Sequence, residues 1–325
     1  MKTKAIRVHQ TGGPEVLRFE EVELPPPGAG DVLIRQTAIG LNYIDTYHRS
    51  GLYPLPLPTG LGSEGAGIVE QVGPNVTDLA VDDRVAYASG PLGAYAERRI
   101  VPADRLVRLP PAISDDQAAS MMLKGMTAQY LLRRTYRVKA GDTILVHAAA
   151  GGVGLIVCQW ARHLGATVIG TAGSDEKLAT ARAHGCNHVI NYRTEKFSEA
   201  VKRITNGKGV QVVYDGVGKD TFIESLDCLM PLGMMVSFGN ASGPVAPVNI
   251  MLLAQKGSLF LTRPTLFTHI LKREDLVASA EDLFGTVASG DVTIKVNQRY
   301  PLAEAARAHA DLEARKTTGS TVLVP

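Results

Sequence analysis

A turn of small residues between two apolar runs is the clearest chemical feature of this sequence. Its spacing is Ala149-x-Gly151-x-x-Gly154, with an additional glycine at Gly152. This is the G-x-G-x-x-G spacing of dinucleotide-binding turns, with alanine in the first place. Such glycines let a pyrophosphate approach backbone N–H groups at a helix N-terminus, where unpaired donors and the helix dipole favour an anion. We therefore expect Gly151, Gly152 and Val153 to bind a dinucleotide; a tight turn without a ligand is the alternative.

Residues about 20 positions further on indicate which dinucleotide is bound. Sites selective for NAD carry Asp or Glu at the end of the second strand, where the acid binds the ribose hydroxyls. Here that position reads Thr-Ala-Gly-Ser, including Gly173 and Ser174, and the first acid follows only in the next helix. Ser174, Lys177 and Tyr192 are polar groups suited to a 2′-phosphate. The pattern predicts NADPH rather than NADH, although a solvated Lys177 is the ordinary alternative for that residue.

The glycine turn lies in a region where apolar segments alternate with helix-like patterns. Most of these segments are nearly continuously apolar, as in strands that are covered on both faces. Six strands with intervening crossovers predict an α/β fold with a doubly wound parallel sheet. The predicted strands are residues 143–148, 167–171, 188–192, 210–215, 234–239 and 258–263.

The two ends of the chain differ from this middle region. Residues up to about 124 are rich in Pro and Gly and contain short β-like runs separated by turn signals. The tail from about residue 266 returns to this style, and its last part, residues 299–325, reads as strand, helix and strand. We expect one β-rich domain from residues 1–124 and 266–325, with a nucleotide-binding domain, residues 125–265, inserted between them.

Composition and charge restrict the class of protein. The 325 residues carry a net charge of +2, with 45% hydrophobic and 20% charged residues, which is ordinary globular usage and disfavours nucleic acid or membrane as a partner. Cys158, Cys186 and Cys228 are too few and too scattered for a disulfide framework. The N-terminal segment lacks the apolar core of a signal peptide, and no apolar run approaches the ~18 residues of a membrane span. These features predict a cytoplasmic protein.

Several longer segments resemble one known family from end to end. They are VHAAAGGVG, INYR, VYDGVG, LMPLGMMVSFGNASG and KGSLFLTRP, with GLNYIDTYHRSGLYP near the start and LEARKTTGSTVLVP at the end. With these segments the chain is similar to the zeta-crystallin-type quinone oxidoreductases of the medium-chain dehydrogenase/reductase superfamily. The resemblance implies a GroES-like β-rich domain, a Rossmann domain, a cleft joining them, NADPH as cofactor and commonly a homodimer.

The resemblance also raises the question of a catalytic metal. Relatives that oxidise alcohols hold zinc through an early Cys and a His in a Gly-His-Glu motif, but this sequence has Asn42 and Ser63 at those positions. Zn²⁺ needs two or three thiolate or imidazole ligands, so we expect no metal site. The resemblance thus implies a zinc-independent NADPH:quinone oxidoreductase. An NADPH-dependent reductase of alkenal or enone C=C bonds is the alternative, and a non-enzymatic RNA-binding or structural role is a more distant one.

The resemblance places four polar or aromatic residues beside the substrate. Asn42, Asp45, Tyr47 and Tyr53 would line the catalytic cleft, with Asn42 and Asp45 also next to the cofactor. Tyr53 would contact the substrate and donate a hydrogen bond or proton, or would only form a wall of the pocket. Asp45 would orient its neighbours or the nicotinamide ribose. Thr127 would open the helix that leads to the sheet and touch the nicotinamide side.

Loops that follow the later strands should complete the cofactor site, because a doubly wound sheet binds its ligand at the carboxyl ends of the strands. The predicted contacts are Val217, Phe238, Gly239, Asn240, Thr262, Arg263 and Pro264. The last three of them would reach the nicotinamide carboxamide through backbone groups. Arg315 matches a family position that approaches the cofactor, and a solvent-facing arginine is its alternative.

Two further patterns are weak competitors. His184-x-Cys186-x-His188 has metal-ligand residue types, but a surface turn after a helix explains it better. Tyr192-x-x-x-Lys196 has the spacing of a short-chain dehydrogenase catalytic pair, yet Tyr192 is expected to end a strand rather than to lie on a helix. The natural acceptor, the choice between one- and two-electron transfer and the oligomeric state stay open at this point.

Overall fold

The computed structural model describes residues 1–325 and divides into two compact units. Unit 1 contains Met1–Met126, Ile270–Ala288 and Ile294–Pro325, and unit 2 contains Thr127–His269 and Ser289–Thr293. The sequence predicts the changes of unit at residues 124 and 266. It gives no indication of the short return of residues 289–293 to unit 2.

The N-terminal part of unit 1 contains eight strands and two α-helices. In chain order its elements are β1 (Lys2–Val8), β2 (Leu17–Glu23), β3 (Asp31–Leu41), α1 (Tyr43–Ser50), β4 (Thr59–Gly60), β5 (Glu64–Val72), β6 (Arg84–Tyr87), β7 (Arg98–Pro102), β8 (Val107–Arg108) and α2 (Asp115–Tyr130). Helix α2 runs across the division between the units and continues as a π-helical turn, Leu131–Thr135.

Unit 2 alternates strands and helices. Its elements are β9 (Thr143–Val146), α3 (Gly152–His163), β10 (Thr167–Ala172), α4 (Asp175–Ala183), β11 (His188–Asn191), α5 (Phe197–Ile204), β12 (Val210–Asp215), α6 (Phe222–Leu226), β13 (Leu229–Ser237), α7 (Met251–Gln255), β14 (Phe260–Thr262) and α8 (Leu266–His269). The strands form one six-stranded sheet in the order β11-β10-β9-β12-β13-β14, and every pair is parallel. This order confirms the predicted doubly wound α/β sheet.

The tail supplies the last elements of unit 1. They are α9 (Arg273–Ala288), β15 (Val296–Pro301), α10 (Ala305–Glu313) and β16 (Ser320–Val324). Strand β16 pairs antiparallel with β3 and parallel with β15, so residues from both chain ends share a seven-stranded sheet. The order β15, α10 and β16 agrees with the strand–helix–strand prediction for residues 299–325, whereas helix α9 before them was not predicted.

Each unit has its own apolar core. In unit 1 the core includes Ile6, Ile34, Val69 and Tyr95, together with Leu323 of the C-terminal strand. In unit 2 the core lies between the sheet and the helices on one of its faces, with residues such as Leu145, Ile169, Val213 and Phe222. No helix is both long enough and apolar enough to cross a membrane.

Candidate active site

The glycine turn joins β9 to α3 at the point where the strand order reverses, since β10 lies on one side of β9 and β12 on the other. Strand β9 ends at Val146, two residues before the predicted end, because Ala148 adopts a left-handed conformation with φ of 51°. The Gly151 N–H donates to Ala148 O (2.8 Å), and Gly151 precedes α3 without any side-chain cap. The first N–H groups of α3, at Gly152 and Val153, therefore lie at an uncapped helix N-terminus that suits a phosphate.

Gly154 explains how α3 lies so close to the turn. A Cβ at this position would clash with Ala148 O and would lie 2.9 Å from Ala149 Cα. No side chain larger than hydrogen fits there unless the helix moves away from the strand. Gly154, in the third place of the motif, thus lets the start of α3 lie directly against the turn.

The end of β10 carries the groups predicted to select NADPH. Ser174 is the N-cap of α4, and its hydroxyl accepts from the Lys177 N–H (3.4 Å). Tyr192 follows β11 rather than ending it, and its phenol lies directly against Gly173, where a Cβ would meet the ring. Gly173, Ser174 and Tyr192 therefore lie together at the carboxyl edge of the sheet, with Lys177 in the first turn of α4.

Arg193 is a residue that the sequence analysis missed in this region. It follows Tyr192, its side chain is exposed, and its backbone N–H donates to Asn191 Oδ1 (3.1 Å). No carboxylate forms an ion pair with it. The signal was present in the motif INYR, because the residue after Tyr192 leaves the same strand end and carries a cation suited to a phosphate.

The loops after β12 and β13 pack directly on each other. Asp215 Oδ1 accepts from the N–H groups of Val217 (2.8 Å) and Gly218 (3.1 Å), and Asp215 O accepts from Phe238 N (2.8 Å) and Gly239 N (3.3 Å). These predicted cofactor residues therefore already use their N–H groups within the protein. Any contact of Val217, Phe238 or Gly239 with a cofactor has to use a side chain or a carbonyl group.

Arg263 links the segment after β14 to the end of β13 and to the loop after it. Its Nη1 donates to Ser237 O (2.8 Å), and its Nη2 donates to the Asn240 amide oxygen (3.2 Å) in the amide orientation that satisfies both groups. Thr262 is the last residue of β14, and Pro264 lies just beyond it. These two contacts hold the guanidinium beside the end of β13 and the loop that follows it, although Arg263 as a whole is exposed.

Thr127 does not open a helix, contrary to the prediction from the sequence. It was expected to open a helix, but α2 begins at Asp115, and Thr127 is buried in its last turn. The two alanines and three methionines of α2 before Thr127 gave no turn signal, and the acidic residues Asp115 and Asp116 mark the N-terminus of the helix.

In unit 1, the predicted substrate residues lie on and next to α1. Asn42 is the N-cap of α1 and forms a capping box with Asp45, whose Oδ2 accepts from Asn42 N (2.9 Å). Tyr47 stacks edge-on against Tyr53, with ring centroids 5.2 Å apart, and Tyr43 lies 5.6 Å from Tyr47. The structure thus brings the four predicted residues together as an aromatic wall with a polar base.

The carboxylate of Asp45 lies at the centre of a buried polar network. Arg49 donates to His309 Nδ1 (3.0 Å), His309 Nε2 contacts Tyr95 Oη (3.1 Å), and Tyr95 donates to Asp45 Oδ2 (2.8 Å). Burial raises the pKa of Asp45 to about 7, against the hydrogen bonds from Asn42 and Tyr95, and Oδ1 of Asp45 has no hydrogen-bond partner. Asp45 therefore supports the start of α1 from inside the protein.

Arg315 lies just after α10, in a left-handed conformation with φ of 59°. Burial is the main reason why the pKa of the Tyr43 phenol is raised. The charges of Glu313, Arg315 and Arg49 also act on this phenol. Arg49 also pairs with Glu313 (2.7 Å). Arg315 is exposed, and its charge acts on Tyr43 in the aromatic wall of α1.

The positions that hold zinc in alcohol-oxidising relatives carry a different arrangement here. Asn42 Nδ2 donates to Glu64 Oε2 (2.7 Å), Lys124 Nζ lies 3.3 Å from the same oxygen, and Leu123 N donates to Oε1 (2.7 Å). Ser63 Oγ is buried without a hydrogen-bond partner. A side-chain amide, a backbone N–H and an ammonium ion contact Glu64, and these groups do not form the thiolate and imidazole set that Zn²⁺ requires.

The two weak competitors have structural explanations. His184 Nδ1 bonds Thr180 O (2.7 Å), and Cys186 is buried against Cys158, so the pattern is a helix end followed by core. No group of three or more His, Cys, Asp or Glu side chains is arranged to hold a metal ion. Tyr192 and Lys196 lie in the connection between β11 and α5, not on one helix.

Two family models match the chain. The alcohol dehydrogenase GroES-like domain matches residues 28–111, and the zinc-binding dehydrogenase model matches residues 152–281. Asn42 and Ser63, which replace zinc ligands of the alcohol-oxidising relatives, lie in the segment that the GroES-like model matches and not in the segment that the zinc-binding model matches. Both matches confirm the fold expected from the sequence, a GroES-like domain together with a Rossmann-type domain.

Individual relatives match over nearly the whole length. Quinone oxidoreductase of Pseudomonas aeruginosa is 57% identical over 323 residues, which is 99% of this chain and 99% of the relative. The 2-haloacrylate reductase of a Burkholderia species is 49% identical over 326 residues, or 98% of each chain. The crystal structure of Escherichia coli quinone oxidoreductase complexed with NADPH has a TM-score of 0.98 at 51% identity, covering 99% of this chain and all of that one. This chain therefore belongs to the quinone oxidoreductase family of the medium-chain dehydrogenases/reductases.

Proposed function

We propose that this protein is a zinc-independent, NADPH-dependent quinone reductase. The observation that carries the proposal is the uncapped glycine turn at the switch point of a doubly wound sheet, next to a β10 end without an acid. That pairing suits a pyrophosphate and a 2′-phosphate on one ligand. Two relatives with more than half their residues identical, from Pseudomonas aeruginosa and Salmonella typhimurium, are named quinone oxidoreductase.

The cofactor residues divide by the part of NADPH that each would contact. The first turn of α3, from Gly151 to Val153, would bind the pyrophosphate, and Ser174, Lys177, Tyr192 and Arg193 would surround the 2′-phosphate beside Gly173. The loops after β12, β13 and β14 would contact the ribose and nicotinamide through side chains and carbonyl groups, with Asn42, Thr127 and Arg315 as additional contacts. This division follows from which N–H groups the protein leaves uncapped and which it already uses.

The substrate side needs few chemical groups. A bound nicotinamide would supply two electrons and one proton, and with a second proton from solvent a quinone would become an aromatic hydroquinone. Tyr47 and Tyr53 provide an aromatic wall for such a ring, and the Tyr53 hydroxyl is suited to donate a hydrogen bond to an acceptor oxygen. Asn42 and Asp45 act mainly by holding the first turn of α1, which carries this wall.

A second activity, reduction of an activated C=C bond, is favoured by one particular relative. The Burkholderia protein at 49% identity is named 2-haloacrylate reductase, and its acceptor is an electron-poor alkene rather than a quinone. The same cofactor site and the same aromatic wall would serve both acceptors. We rank quinone reduction first because several relatives at higher identity have that name.

The acceptor is tested by comparing turnover with different electron-poor substrates. NADPH oxidation would be followed at 340 nm with 1,4-benzoquinone, 9,10-phenanthrenequinone, a 2-alkenal and 2-chloroacrylate. The proposal expects kcat/KM for a quinone to exceed that for either alkene by about tenfold or more, equivalent to about 1.4 kcal/mol in transition-state binding. A higher kcat/KM with the alkenal or haloacrylate would replace quinone reduction by the second activity.

The assembly and the cellular location are further parts of the proposal. Strand β14 is an edge of the sheet, and Phe260 and Leu261 on it are exposed, which favours pairing with a second copy in a homodimer. The three cysteines are free thiols, as in a reducing cytoplasm. The near-neutral charge favours no nucleic acid or membrane partner.

A further inference from the structure

A row of buried polar side chains runs beneath the carboxyl edge of the unit 2 sheet. His147, just after β9, bonds Thr171 Oγ1 of β10 through Nδ1 (2.9 Å) and Ser225 Oγ of α6 through Nε2 (2.8 Å). Ser225 and Thr221 lie on one turn of helix, and Thr221 Oγ1 donates to Asp215 at the end of β12 (2.9 Å). All five side chains are buried, so water does not compete for these bonds.

The directions of these hydrogen bonds follow from the number of protons available. Ser225 Oγ has one proton and donates it to Thr221 O (2.7 Å), so it accepts from His147 Nε2–H. A neutral imidazole with its proton on Nε2 accepts at Nδ1, and the donor there is the Thr171 hydroxyl. Burial lowers the pKa of His147 against the opposing effect of Asp215 and Glu224, which keeps the ring neutral.

Both ends of this row are attached to loops of the proposed cofactor site. At one end, Thr171 O accepts from Ala149 N (3.0 Å) in the glycine turn, and Gly173 and Ser174 follow two and three residues later. At the other end, Asp215 binds the N–H groups of Val217 and Gly218. His147 is therefore the central connection between the pyrophosphate turn, the 2′-phosphate loop and the loop after β12.

We propose that His147, held between Thr171 and Ser225, is a positioning residue that fixes the three cofactor loops relative to one another and thereby preorganises them for NADPH. This inference rests on the proposed function, because it assumes that the loops bind NADPH. It assigns no contact between His147 and the cofactor. A loop that is already in its bound geometry loses less conformational freedom on binding, so breaking the row should weaken affinity without removing any ligand contact.

The test uses nearly isosteric changes that each remove one partner of His147. Thr171→Val removes the donor to Nδ1, and Ser225→Ala removes the acceptor for Nε2. The matched control is Thr205→Val, since the Thr205 hydroxyl also makes two internal bonds, to Val201 O (2.8 Å) and from Gly209 N (3.0 Å), at the opposite edge of the sheet. All three would be compared with wild type by NADPH fluorescence titration, thermal unfolding and steady-state kinetics.

The proposal expects Thr171→Val and Ser225→Ala each to raise the Kd and KM for NADPH by about five- to tenfold, the effect of one lost buried hydrogen bond. The KM for the quinone and kcat should stay within about twofold. Thr205→Val should lower the unfolding temperature to a similar extent yet bind NADPH as wild type does. Unchanged NADPH affinity in both row variants, or an equal loss in the control, would overturn the proposal. Failure of wild type to bind NADPH would instead overturn the proposed function.

Discussion

Asp45 is a residue of the site whose charged form is destabilised by burial. Its carboxylate is fully buried, and burial raises its pKa to about 7 from an ordinary value of 3.8. The folded protein therefore binds the Asp45 proton more tightly than the unfolded chain does, and stability from this group falls as pH rises from about 4 to about 7. His309 in the same network has the opposite effect, because burial lowers its pKa to about 3 and stability is lost as pH falls from 6.5.

We predict that Asp45→Asn removes the pH dependence of stability that is due to Asp45 and leaves the one that is due to His309. The amide keeps an acceptor for Asn42 N and Tyr95 Oη but has no charge to bury. The free energy of unfolding of the variant, relative to wild type, should rise by about 2–3 kcal/mol between pH 5 and pH 8. Urea unfolding at a series of pH values measures this difference. The exposed Asp220→Asn serves as the control, and a flat difference for Asp45→Asn would show that the wild-type carboxylate titrates normally.

Gly154 supports a second residue-level prediction, about the cofactor. Gly154→Ala would force α3 away from Ala148 O, displacing the N–H groups proposed for the pyrophosphate. We expect NADPH affinity to fall by about tenfold or more, together with a loss of stability. Gly285→Ala is the matched control, because Gly285 lies in α9 with no atom within 4 Å of an added Cβ. It should stabilise the protein by about 0.5–1 kcal/mol and leave binding unchanged; NADPH binding retained in Gly154→Ala would contradict the assigned turn.

At the scale of elements, the inner strands β9, β10 and β12 of unit 2 were predictable because nearly all their residues are buried, as in strands covered on both faces. The six predicted strands all exist, and errors concern their ends. Strand β13 begins five residues earlier than predicted, since Pro231 and Gly233 hid its first half. Helix α1 gave no helical pattern in the sequence, because its apolar positions are tyrosines and one isoleucine; the capping pair Asn42-x-x-Asp45 was the local signal for it.

The candidate site was predictable to a different extent. The glycine turn and the polar end of β10 follow from local spacing. The partners of Asp45 did not, because Tyr95 and His309 lie 50 and more than 200 residues away in the chain, and their contacts depend on tertiary packing. The row through His147 was missed for the same reason, since the sequence shows only a histidine at the end of an apolar run.

The edge strand β14 leads to a prediction about assembly. Phe260 is 55% exposed and Leu261 40% exposed, on a strand that pairs only with β13. We expect a dimer in light scattering after size exclusion, and we expect Phe260→Lys to shift it to monomer by placing a charge on the edge. Leu271→Lys, at a 72% exposed position in unit 1, should leave the dimer intact. A wild-type monomer, or equal effects of the two changes, would contradict pairing through β14.

For the whole molecule, the proposed chemistry depends on one property of each unit. Unit 2 presents a phosphate-binding turn and a β10 end suited to NADPH. Unit 1 presents an aromatic wall of tyrosines, and it carries Asn42 and Ser63 at the positions that hold zinc in alcohol-oxidising relatives. A quinone suits this combination, because its conjugated carbonyls accept electrons without a Lewis acid. Family membership and the arrangement of residues favour the same chemistry.

The most direct measurement is NADPH oxidation by protein that has been treated with EDTA and assayed for bound metal. The account predicts less than about 0.1 zinc per chain, consistent with the missing ligands, and full turnover of a quinone with NADPH. NADH should give a kcat/KM lower by about tenfold or more, because it lacks the 2′-phosphate that Ser174, Lys177 and Tyr192 are expected to bind. Stoichiometric zinc whose removal abolishes activity, or equal use of NADH, would contradict the account.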